Sequence, residues 1–313
     1  MRRWPVLLAL LVVVPLPPPS WGSEATVFVT VEGAGALAII RAGSRDKITL
    51  GGHPHNLVVS PDGRRAWVTN SFPSRVWVVE PSSRKVTRLP IRGKGPHGLA
   101  MTPDGARVLV AFEEDGLLEL FAAAALTPLA KLSLPDRPHN VAVSPDGRSA
   151  WLTSLNGNRL VMVGELPEMK VVRTIGVQGT PHDLAFTPDG RELWVTLWRS
   201  NEVLVLEPLG GKMLGRLVAG LTPHHLAVTP NGGQVWVTDY ASGDIAVFDA
   251  KARRLVKRLP VGPGPHHVAF SKDGRLAYVV SEGEDGVIEV EVASGRSRAR
   301  IPVGPGPHGV SIR

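Results

Sequence analysis

The chain has no cysteine among its 313 residues. That excludes disulfides, thiolate metal sites, a thiol nucleophile, a lipoprotein acceptor and covalent c-type haem attachment. Aromatics are sparse, at 5% of residues with only two tyrosines. The formal charge of +7 is mild for this length and falls to about +5 if Arg2 and Arg3 are removed. No stripe of basic and aromatic residues favours nucleic acid. There is no G-x-S-x-G, no H-E-x-x-H and no phosphate-binding loop, so the usual hydrolase and nucleotide signatures are missing. One apolar run exists, Val6 to Val14, behind Arg2 and Arg3 and ahead of a proline-rich exit. It is too short for a comfortable membrane span and reads as a signal peptide, residues 1–22, with cleavage between 22 and 25. A periplasmic or secreted protein is expected, with no stable membrane span after processing and as a monomer.

What the chain does have is Pro-His, seven times, at Pro54, Pro96, Pro138, Pro181, Pro223, Pro265 and Pro307. The spacing is 42 residues, once 43. Six of the seven open one phrase, as in PHNLVVSPDGRRAWVTN and PHHLAVTPNGGQVWVTD. A short apolar run, a Pro-Asp-Gly turn, a second apolar run and two further strand-like runs fill each period. Four antiparallel strands in such a period make a propeller blade. Residues 307–313 supply a first strand alone, and residues 23–53 supply the second, third and fourth. The expected fold is therefore all-β: a seven-bladed β-propeller, its ring closed by a blade split between the termini. It takes up residues 23–313, with repeats starting at 54, 96, 138, 181, 223 and 265. Trp67, Trp151, Trp194 and Trp236, with Phe28 and Tyr278 at the same place, are expected to pack between blades and carry no function.

The first strand of each blade lines the central channel, so His55, His97, His139, His182, His224, His266 and His308 should meet at one mouth. His53, His225 and His267 lie beside them in sequence, and all ten histidines fall in or next to this position. The architectural reading has each imidazole hydrogen-bonded to a carbonyl or to the threonine of the second strand. The functional readings are a divalent metal, a haem-type macrocycle needing one axial histidine, or an anion held by partly protonated imidazoles. For an ion, a seven-strand ring is expected to hold its members apart, so only a subset would converge. Trp198 and Arg199 have no counterpart in other blades, which marks them as candidate ligand contacts; Tyr240 stands out likewise. The Pro-His face also receives Glu32, Glu113, Glu114, Asp115, Asp239, Glu282, Glu284 and Asp285, while Arg64, Arg65, Arg84, Lys85, Lys251, Arg253, Arg254, Lys272 and Arg275 collect opposite.

Trp67-Val68-Thr69-Asn70, repeated in part at Trp194 and Trp236, resembles the signature of the YVTN-repeat β-propeller family, with Trp for Tyr. The resemblance spans the mature chain and implies a secreted or periplasmic seven-bladed propeller. Its repeat style is also similar to haem-binding propellers of periplasmic nitrite reductases and to quinoprotein amine dehydrogenase subunits. GPGPHHVAFSKDGRLAYVVSE at 262–282 looks like sugar-lactonase propellers. Streptogramin-lyase propellers end the phrase in Glu, which no blade does here. No catalytic residue carries over. The expectation is a ligand-binding or protein-interaction scaffold that takes a small-molecule or protein ligand on its histidine-ringed face. The alternative is a lactonase-like hydrolase or a haem- or quinone-linked oxidoreductase component.

Overall fold

The computed structural model describes residues 25–313; the expected signal peptide lies outside them. Seven four-stranded antiparallel sheets form a ring, a seven-bladed propeller. In the Pro54 blade the strands are Pro54–Val59, Ala66–Asn70, Arg75–Glu80 and Lys85–Arg88. Ser60-Pro61-Asp62-Gly63 turns the first strand into the second. The Ser60 hydroxyl donates to Asp62 Oδ1 (2.6 Å), Asp62 accepts the Arg64 N–H (2.9 Å), and Gly63 takes φ of +72°. That left-handed backbone is why glycine recurs there.

The split blade forms as expected. Pro307–Ile312 lies beside Val27–Val31, with Val27 opposite Ile312 and Val29 opposite Val310. Arg313 N–H donates to the Thr26 carbonyl at 2.8 Å. Closure buries an edge that would otherwise template aggregation.

The cores lie between blades. Trp67 packs with Val108, Val110 and Phe121 of the next blade, and Trp194 with Val235 and Phe248. Trp67, Trp151, Trp194 and Trp236 are each fully buried, as the sequence predicts.

One irregularity positions the functional face. In six blades the first and second strands slip register just after Pro-His, for example between Pro54 and Leu57. This bulge sets two residues, the histidine and its successor, against a single residue of the second strand, a threonine in four of the six. Thr69 Oγ1 accepts the Asn56 N–H (3.1 Å) and donates to the His97 carbonyl of the next blade (2.7 Å). Thr30, Thr153, Thr196 and Thr238 make the same clip to His55, His182, His224 and His266. The threonine thus holds histidine backbones and not imidazoles; of the architectural reading, the carbonyl partner is found at His97 and His182.

Among the described residues no helix is long and apolar enough to cross a membrane.

Candidate functional site: a two-tiered histidine mouth

The seven repeat histidines form a closed ring of imidazoles. Centroids of neighbours lie 3.5 to 4.6 Å apart all the way round, from His55–His97 to His308–His55. Neighbouring imidazoles are in contact, so the expectation that the strands would hold them apart is wrong, while ligand atoms still converge only in subsets. Only His97 and His182 use Nδ1 on a carbonyl, of His139 (3.1 Å) and His224 (2.9 Å). Nδ1 of His55, His139, His224, His266 and His308 is buried with no hydrogen-bond partner.

The ring is neutral. Burial, reinforced by neighbouring imidazoles, pushes His55, His139, His224 and His308 well below their ordinary value. Burial takes His97 down to about 4, and His182 and His266 to about 3. The lowered values count against the anion-binding reading, which needs imidazolium near neutral pH. What the ring offers is lone pairs.

The successors of the histidines form a second tier: Asn56, Gly98, Asn140, Asp183, His225, His267 and Gly309. Asn56, Asn140, Asp183, His225 and His267 line a cavity of about 360 Å³ in the channel. Asp183 Oδ2 lies 3.5 Å from His225 Nε2 and accepts the Leu226 N–H (3.1 Å). The Val268 N–H points at His225 Nδ1 (3.3 Å), so the His225 proton sits on Nε2, facing the carboxylate. Burial pushes Asp183 up and His225 down, and each opposes the other's shift. His267 stacks on His225 with centroids 4.0 Å apart.

Above the ring stands an aromatic rim. Trp198 meets His182 edge-on, and Tyr240 meets His266 and donates its hydroxyl to Glu282 (2.8 Å). Arg199 lies further out, in a groove of about 200 Å³ with Asn156, Asn158, Thr180 and Trp198. Of the candidate residues, then, nine histidines and Trp198 come together and Arg199 does not join them. His53 is an exposed rim residue bonded to Glu32 at 3.0 Å. The acidic crown is partly neutralised: Arg300 pairs with Glu284, and Arg258 with Asp239 and Asp244. These arginines come from fourth strands, which end on the same face. Opposite, Arg253 is likewise spent on Glu192.

Sequence reasoning missed Asp183, Asn56 and Asn140, and saw Glu32 and Glu113 only as surface charge. The signal for the first three is the residue after each Pro-His, which varies while everything around it repeats.

Three sets of residues each bring ligand atoms within 4.8 Å of one another: His224, His266 and His267; Glu32, His55 and His308; His97, Glu113 and His139. The donor chemistry, imidazole with or without carboxylate, suits zinc, copper, nickel or iron.

The family model described as "Lactonase, 7-bladed beta-propeller" matches residues 218–300, a segment holding His224, His225, His266 and His267. No curated protein matches in sequence. Solved structures are similar over the whole ring. A functionally unknown protein from Desulfotomaculum acetoxidans is 16% identical, with TM-score 0.80 over 92% of this chain and 98% of that one. Hydrazine synthase of Kuenenia stuttgartiensis is 19% identical, with TM-score 0.78 over 92% and 99%. Dihydro-heme d1 dehydrogenase NirN, solved in complex with DHE, is 18% identical, with TM-score 0.64 over 95% and 77%. At these identities the likeness is one of fold.

Proposed function

We propose that this chain is a YVTN-type propeller, exported by cleavage of residues 1–22 to the periplasm or beyond. We propose that as a monomer it holds a transition-metal ion, or a flat metal-bearing macrocycle, on its ring of histidines. The observation that carries the reading is the set of five buried Nδ1 atoms without partners. Leaving a buried polar atom unsatisfied costs about 1–3 kcal/mol each, so a ligand that engages these lone pairs would be favoured. A metal satisfies a neutral imidazole lone pair without a proton. The Nδ1–H bond of His97 to the His139 carbonyl is the outer-shell arrangement that orients a ligating imidazole. The similar fold of a dehydrogenase named for a haem makes a haem-type ring the macrocycle to try first. Trp198 and Tyr240 would flank it.

The test is uptake by metal-stripped mature protein of zinc, copper, nickel or haemin, read by elemental analysis and visible absorption. Retention of at least one of them supports the reading. Retention of none overturns it.

A second reading, lactone hydrolysis, is favoured by Asp183–His225 over the cavity and by the matched segment that contains His225. It predicts turnover of a sugar lactone that Asp183→Asn abolishes; no turnover by the wild type removes it.

A further inference from the structure

The nitrogens of the ring are not equivalent, and hydrogen bonding shows which of them carry protons. His182 Nδ1 lies 2.9 Å from the His224 carbonyl, which can only accept, so that nitrogen bears the proton. In a neutral imidazole the lone pair then sits on Nε2. His139 Nε2 is 3.2 Å from that atom and must donate to it. The His139 proton is thereby placed on Nε2, and its Nδ1 is left as an acceptor. That Nδ1 is buried and without a hydrogen-bond partner. It faces Glu113 Oε2 at 3.7 Å, and a carboxylate also only accepts. Two acceptors therefore oppose each other with no proton to share. His97 donates Nδ1–H to the His139 carbonyl (3.1 Å), which reserves one lone pair on it as well. Arg137 spends its Nε–H on the Glu113 main-chain carbonyl (2.9 Å).

We infer that His97, Glu113 and His139 form a site for a divalent first-row transition ion, ligated by two imidazoles and one carboxylate. The inference rests on the metal-binding reading of the ring and says which arc takes the first ion. Donors on a tetrahedral zinc stand roughly 3.3 Å apart, so the 3.7 Å gap closes with a shift of a few tenths of an ångström. The carboxylate offsets charge in a place where desolvation would otherwise oppose a cation. The two other triads are weaker on both counts. Glu32 is already engaged by His53 at 3.0 Å. His224, His266 and His267 bring no carboxylate, and His267 is stacked against both His225 and His266. His182, with both nitrogens engaged, belongs to no triad. It is a positioning residue that sets the tautomer of His139.

The test uses metal-stripped mature chain carrying 15N-histidine, with zinc chloride as the probe. Substoichiometric zinc should shift the His139 Nδ1 and His97 resonances before any other. Glu113→Gln should weaken the first zinc by more than about tenfold. Lys251→Gln, exposed on the opposite face, should leave it within about twofold, the sites being separate. If Glu113→Gln does not fold, the wild-type spectra decide alone. First shifts at His224 or His266 would overturn this site while leaving metal binding by the ring intact. No shift at any ring histidine would overturn both.

Discussion

The two tiers of the channel occupy adjacent positions on the same bulge, yet one is uniform and the other is not. The upper tier is histidine seven times over. The lower tier divides into arcs. On one arc, Asn56 Nδ2 donates to Asn140 Oδ1 (3.2 Å) across Gly98, where a Cβ would lie 2.5 Å from the His139 carbonyl oxygen. On the other arc sit Asp183, His225 and His267, the ionisable group. A repeat makes rings of equal side chains at no topological cost, so uniformity alone says little. Departure from the repeat inside an otherwise repeated frame is informative, because the fold does not require it. The lower tier therefore individualises a mouth that the upper tier supplies, and Glu113 does the same from the rim.

Acid should separate the tiers most strongly. Burial lowers the upper-tier histidines, so the unfolded chain binds more protons than the folded one. Their stabilisation is complete above the unfolded value near ~6.5 and is lost as pH falls from there toward about 4 for His97 and about 3 for His182 and His266. The upper limit is about 1.4 kcal/mol per pH unit for each histidine, so several together should bring melting down steeply between pH 7 and 5. Asp183, raised by burial, acts in the opposite sense, gaining as pH falls toward its unfolded value. A melting temperature that is flat over this range would show that the ring is not buried and neutral.

Next in size is Trp67→Ala, which touches neither tier and removes an inter-blade core residue. It should cost about 3–5 kcal/mol in denaturant unfolding while leaving metal affinity of the folded protein unchanged. Breaking the clip that joins the tiers comes third. Thr153→Val orphans the Asn140 N–H and takes one of two donors from the His182 carbonyl, which keeps Asn140 Nδ2 (3.3 Å), at about 1–3 kcal/mol. Blades whose second strand carries Ala111 or Val280 at that place already lack the hydroxyl, so Ala111→Val should cost nothing through this route. Smallest is Asp183→Asn, near-isosteric and able to keep the Leu226 N–H: about 1 kcal/mol or less, with the His225 titration moving down. An unchanged His225 titration would mean that the pair does not interact.

The fold was legible because repetition overdetermines it: period, Pro-Asp-Gly turns and the complementary end fragments all point to one ring. The ring of histidines was legible for the same reason. Its tightness was not, since no residue type announces how close the strand ends bring their side chains. The protonation of the ring was hidden too, because it follows from burial and from a chain of tautomers through His182 and His139. Asp183 was masked by reading the residue after Pro-His as strand filler. The charge on the Pro-His face misled because its arginine partners, such as Arg258 and Arg300, lie a strand away in sequence.

The central claim is that the upper tier presents lone pairs for a metal. It is tested most directly by weighing the mature chain by native mass spectrometry after equilibration with zinc at pH 7.5, beside a variant in which His55, His139, His224, His266 and His308 are glutamine. The account predicts retained zinc in the wild type, none in the variant, and cooperative melting in both. A wild type that retains no metal, paired with a variant that no longer melts cooperatively, would contradict it and make the ring a structural device.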